Sequence, residues 1–141
     1  MSSDDIVARI RALTVEKGAF DINGRLCEYS VISKELHPDV PNFVGVLGEN
    51  EFFISEEVPR RFRYPMIAHE VYCLMGKDMG HDGHCLAAVE FALRFVTESD
   101  RAEYLAIRRK FFSDLIEVSK GGDPVFLREI TASRDYLCGI T

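Results

Sequence analysis

The chain has no apolar run approaching the roughly 18–20 residues that span a bilayer, so no membrane partner is expected. Its start, Met1 to Asp5, is acidic and lacks the basic residues and apolar stretch of a secretory leader. The four cysteines, Cys27, Cys73, Cys85 and Cys138, include no C-x-x-C pair. Without an export signal, reduced thiols and a cytoplasmic location are the expectation. Positive charge is also short, with 17 Lys and Arg against 23 Asp and Glu and a net charge of −6. A general binder of nucleic-acid backbone needs a basic surface, so no nucleic-acid partner is expected. There is no internal repeat, no low-complexity tract and no G-x-S-x-G nucleophile motif. Lys120-Gly121-Gly122-Asp123-Pro124 has the wrong order for a phosphate loop and reads as a helix stop and restart.

What is present suits one domain over residues 1–141. The chain is 47% apolar and 28% charged, enough for a core without staples. Ile6, Val7, Ile10, Leu13 and Thr14 recur at helical spacing, and Gly18 is the expected stop. Asn23-Gly24 predicts a two-residue hairpin between strands at 19–22 and 25–33, with the Tyr29/Val31 side buried. His37 to Asn42 carries two prolines and reads as a loop. A second hairpin is expected from 43–47 and 51–55 across Gly48-Glu49-Asn50. Beyond Ser55 the patterning turns helical. Pro65 is expected to open a helix that Gly76 ends, a second helix runs over about 84–96, and a third follows Asp100. The third has a predicted buried stripe of Tyr104, Ile107, Phe111, Leu115 and Val118, with Arg108-Arg109-Lys110 on its solvated side. Asp123-Pro124 opens the last helix, whose apolar side is Phe126, Leu127, Ile130 and Leu137. The expected class is α+β: an N-terminal helix, a small antiparallel sheet of three to four strands, then four to five helices.

Residues 68–85, AHEVYCLMGKDMGHDGHC, hold three of the four histidines and two of the four cysteines. On a helix, His69 and Cys73 lie one turn apart on one face, with Glu70 about 100° round from His69. Two ligands one turn apart can hold Zn²⁺ while an acid beside them takes a proton from bound water, whose pKa zinc lowers to roughly 7. With His69-Glu70, the small sheet before it and the second helix after it, the chain resembles the zincin metallopeptidase superfamily over about residues 43–96. The resemblance implies His69 as first zinc ligand, Glu70 as general base and Glu90 as the acid ligand from the following helix. Cys73 stands where the second histidine belongs.

A thiolate binds zinc but is shorter than imidazole and leaves the metal a weaker Lewis acid, which puts peptidase-like hydrolysis in doubt. His81, His84 and Cys85 are further ligands within reach of Cys73 if the second helix packs antiparallel to the first. Four protein ligands would make a structural zinc, three plus water a catalytic one. An ordinary reading stands beside these: Cys73 and Cys85 as small core residues, His69 hydrogen-bonded at the core's edge, and Glu90 paired with Arg94 four residues on. The corresponding function is a non-catalytic interaction protein with a protein or peptide partner. Arg60-Arg61-Phe62-Arg63-Tyr64 mixes base and aromatic, and with Glu56 and Glu57 beside it reads as a solvated, self-paired face.

Overall fold

The N-terminal helix α1 (Ser3–Leu13) passes without a break into strand β1 (Thr14–Ile22) in the computed structural model, which describes residues 3–33, 44–78 and 85–140. Gly18 is therefore not a helix stop. It lies inside β1, directly opposite Tyr29 of β2 (Arg25–Ile32), and a Cβ at Gly18 would come within 2.4 Å of the tyrosine hydroxyl. The helix ends earlier because Leu13 leaves its backbone oxygen to Ser33, which donates its N–H at 3.0 Å. The Asn23-Gly24 turn is as expected: both residues have positive φ, 57° and 81°, which suits the mirror-image turns that match strand twist. The Asp21 carboxylate accepts the Gly24 N–H at 3.1 Å.

The sheet order is β1-β2-β4-β3, with β3 at Val44–Gly48 and β4 at Glu51–Ser55. Both hairpins are antiparallel, but β2 and β4 pair in parallel, so the sheet is mixed where a purely antiparallel one was expected. The reason lies in β4. Phe52, Phe53, Ile54 and Ser55 are all buried, so this strand is apolar on both faces and takes an interior place. Strand β3, with Gly45 and Gly48 and a half-exposed pattern, is left at the edge. The Phe53 ring lies over Gly45, its direct cross-strand partner, where a Cβ would come within 2.5 Å. The expected loop at 37–42 lies outside the described residues.

The chain divides into two compact units, 1–67 and 68–141, the division falling inside helix α2 (Arg63–Asp78). In the first unit, one sheet face carries buried Cys27, Tyr29, Val31, Phe52 and Ile54. Phe20 stacks on Tyr29 at 5.0 Å and meets Tyr64 edge-on at 5.1 Å, which places the first turn of α2 on this face. The other face packs Ile32 and Phe53 against Ile10 of α1, with Leu13 and Leu47 at the margin. Burying each of these three large side chains contributes about 2 kcal/mol. A 3₁₀ turn (Arg60–Phe62) leads into α2. Pro65 falls within the first turn of α2, where its missing N–H costs nothing, and Gly76 does not end the helix.

The second unit is helical: the rest of α2, then α3 (Cys85–Leu93), a 3₁₀ turn (Glu98–Asp100), α4 (Arg101–Ser119) and α5 (Pro124–Gly139). Asp123 caps α5 by accepting the Val125 N–H at 2.9 Å, with Pro124 at the first helical position. The buried stripe of α4 is Tyr104, Leu105, Arg108, Phe111, Phe112 and Ile116. It is turned from the expected one: Val118 is exposed and Arg108, placed by the sequence on the solvated side, is 1% exposed. Arg109 is also engaged, donating to the backbone oxygens of Leu137 at 2.8 Å and Ile140 at 2.6 Å. Its guanidinium takes up carbonyls that the end of α5 leaves unpaired. Phe126, expected on the apolar side of α5, is 42% exposed.

Candidate functional site

Helix α2 carries His69, Glu70 and Cys73 into the second unit, and each meets a different setting. His69 is buried at 3% exposure, and its ring meets the Phe112 ring of α4 edge-on, centroids 6.0 Å apart. Cys73, one turn on, is half-buried and forms no disulfide. Glu70 is half-buried as a residue, but the protein around its carboxyl withholds water, and that burial pushes its pKa up to about 7. The nearby guanidinium of Arg108 acts in the opposite direction and does not overcome the burial.

Arg108 is the centre of this arrangement. Its guanidinium carbon lies 5.1 Å from the Phe111 ring centre and 5.0 Å from that of Phe112, one and the next position round the following turn of α4. A cation over two ring faces recovers part of the hydration it loses. Tyr104, one turn before Arg108 and 1% exposed, joins the group. Burial raises its hydroxyl pKa, Arg108 lowers it and Glu70 raises it further, so all three groups feel one another. Glu70 of α2 and Tyr104 and Arg108 of α4 thus act on one another electrostatically, and His69 meets the same Phe112 ring over which Arg108 lies. A carboxyl that titrates near neutrality is suited to proton exchange. Here it also has a fixed cation beside it.

Of the other sequence-predicted ligands, Glu90 has a described side chain, and it is engaged elsewhere. Glu90 is exposed on α3 and accepts a hydrogen bond from the Tyr136 hydroxyl of α5 at 3.0 Å. Tyr136 pays for that bond with a raised pKa, since the carboxylate favours the protonated phenol. Cys85 opens α3, while His81 and His84 lie outside the described residues. Among the described residues no three His, Cys, Asp or Glu side chains come together as a metal ion requires, so Glu90 does not complete a set with His69 and Cys73.

The reading from sequence missed Arg108 and the pairing role of Tyr104. The signal was present: Tyr104, Arg108 and Phe112 follow one another at four-residue spacing, on one stripe. A count of apolar residues alone passes over an arginine in that row.

The first unit holds a second arginine–glutamate group. Glu16 of β1 accepts from Arg60 at 2.8 Å and also from Arg63, and the two guanidinium groups hold its carboxyl below the usual range. Arg61 stacks over the Phe62 ring at 4.5 Å. Arg60 and Arg63 of this basic cluster thus pair with Glu16, more than forty residues away in the sequence.

No protein family, curated protein or solved structure matches this chain. Among the described residues no helix is long and apolar enough to cross a membrane.

Proposed function

We propose that the chain is a zincin-like domain working as a non-catalytic interaction module for a protein or peptide partner. The observation that carries this reading is the burial of Arg108 beside Glu70. In a zinc hydrolase the charge that works with the general base is the metal ion. Here a guanidinium occupies that electrostatic role permanently, and it would repel a dication brought close to it. The Glu70 carboxyl, the Tyr104 phenol and the Arg108 guanidinium are coupled electrostatically within one unit, which supports a role in ordering helix packing.

A second reading, structural zinc, is favoured by His69 and Cys73 one turn apart on α2, which is half of a Cys/His ligand set. Cys85, His81 and His84 are the candidates to complete it. Zinc analysis of the purified protein, dialysed with and without added zinc, separates the readings. The module reading expects substoichiometric zinc and an unchanged melting temperature in both states. Stoichiometric zinc lost in His69→Ala, with no hydrolysis of peptide substrates, would establish the structural site instead. Stoichiometric zinc together with peptide hydrolysis abolished in Glu70→Gln would overturn both.

A further inference from the structure

Strand β1 is one edge of the sheet, and among the described residues no strand pairs with its outer side. The register shows which of its backbone groups remain open. A two-residue hairpin closes on a hydrogen-bonded pair, here Ile22 with Arg25, and such pairs recur at every second residue. Phe20, Gly18 and Glu16 therefore spend their N–H and C=O groups on β2, and Lys17, Ala19 and Asp21 direct theirs outward. Two contacts agree: the Glu28 N–H, opposite Ala19, turns away from β1 to Asn50 at 2.9 Å, and the Asp21 oxygen faces outward to accept the Tyr64 hydroxyl at 3.1 Å.

The side chains of Lys17, Ala19 and Asp21 share one sheet face, and all three residues are exposed. Lys17 has no carboxylate partner among the described residues. It cannot reach Asp21 in its own strand, since four residues of extended chain separate them by about 13 Å. We infer that the open edge of β1 is a self-docking surface: two copies of the chain pair β1 with β1, antiparallel, about a two-fold axis at Ala19. Lys17 of each copy then stands opposite Asp21 of the other, twice by symmetry. Of the registers that use the outward groups, only this one matches Lys17 with Asp21. Shifts of two or four residues put Lys17 opposite Ala19 or opposite itself, or Asp21 opposite Ala19 or opposite itself. The Asp21 oxygen that accepts the Tyr64 hydroxyl keeps a second lone pair for an incoming N–H. This inference is independent of the metal question, since it concerns only the first unit.

Sedimentation equilibrium from about 1 to about 100 micromolar, where interfaces of modest area dissociate, tests it. The wild-type chain is expected to show a monomer–dimer equilibrium. Lys17→Asp and Asp21→Lys each replace two attractive pairs by repulsive ones and are expected to weaken dimerisation about tenfold or more. The double variant Lys17→Asp/Asp21→Lys restores the opposition of charges and is expected to restore the dimer. Ala19→Pro removes an outward N–H without touching the β2 ladder and serves as a second disrupting variant, with far-UV circular dichroism confirming that each protein is folded. A wild-type chain that stays monomeric throughout, or a dimer indifferent to all these changes, would overturn the inference. So would a double variant that stays as weak as the single ones.

Discussion

Both units bury an arginine and set a glutamate near it, and the two glutamates respond in opposite directions. In the first unit Arg63 is 7% exposed, and Glu16, shared with Arg60, has its pKa lowered by hydrogen bonds to both. In the second unit Arg108 is 1% exposed, and Glu70 has its pKa raised to about 7 although the same kind of cation stands by. The difference is water. Glu16 keeps its hydration at the sheet margin, so the guanidinium groups add to a charge already stable there. Glu70 has lost hydration, and the cation recovers only part of the loss. An arginine beside a carboxylate is therefore not evidence of an ionised pair until the solvent around the carboxylate is known.

The largest break in this comparison is expected from Arg108→Ala. It removes a buried cation from two aromatic faces and from Glu70, at a cost on the order of 3 kcal/mol in denaturant unfolding. Because Arg108 lowers the Glu70 pKa, its loss raises that pKa further. The cost is therefore expected to be greater near pH 8 than near pH 5. A loss below about 1 kcal/mol at both values would show that the guanidinium is not part of the packed core.

Next in size is the pH dependence of the intact protein. Glu70 is raised from 4.5 to about 7 in the folded state, so its contribution is fully present below 4.5 and is lost as pH rises to about 7. Unfolding free energy is expected to fall across that window by at most about 3 kcal/mol. Glu70→Gln should flatten the slope, and an equal slope in that variant would assign it to another group. The smallest effect is expected at Glu16. Its lowered pKa stabilises the fold above the ordinary carboxylate range, and that contribution is lost as pH falls through the folded value. In Arg60→Ala a carboxyl NMR titration should show Glu16 moving up toward its ordinary range. A carboxyl that titrates as before would leave Arg63 as its sole effective partner.

Features that depend on a few adjacent residues were legible in the sequence. The Asn23-Gly24 turn needs positive φ at both positions, and the Asp123-Pro124 cap needs one oxygen and one fixed φ. The order of helix, sheet and helices followed from the change of period along the chain. The parallel pairing of β2 with β4 was not legible, because nothing local records which strands meet after an intervening hairpin. The boundary of α1 was misplaced because Gly18 looks like a stop in its own neighbourhood, and its true constraint is Tyr29, eleven positions away. For the candidate site, His69, Glu70 and Cys73 were located on one helix as expected. The setting of Glu70 depends on burial and on Arg108, which lies over Phe111 and Phe112 of α4 and is not marked by any local motif.

The two glycines beneath aromatic rings carry a consequence for sequence drift. Gly18 lies under Tyr29 and Gly45 under Phe53, so each small residue is tied to one large one across the strand. In descendants of this chain, a side chain at position 18 requires a smaller residue at 29, and a side chain at 45 requires a smaller residue at 53. A methyl gained on one strand demands that a ring be surrendered on the next, and the two pairs form separate units of inheritance within one sheet.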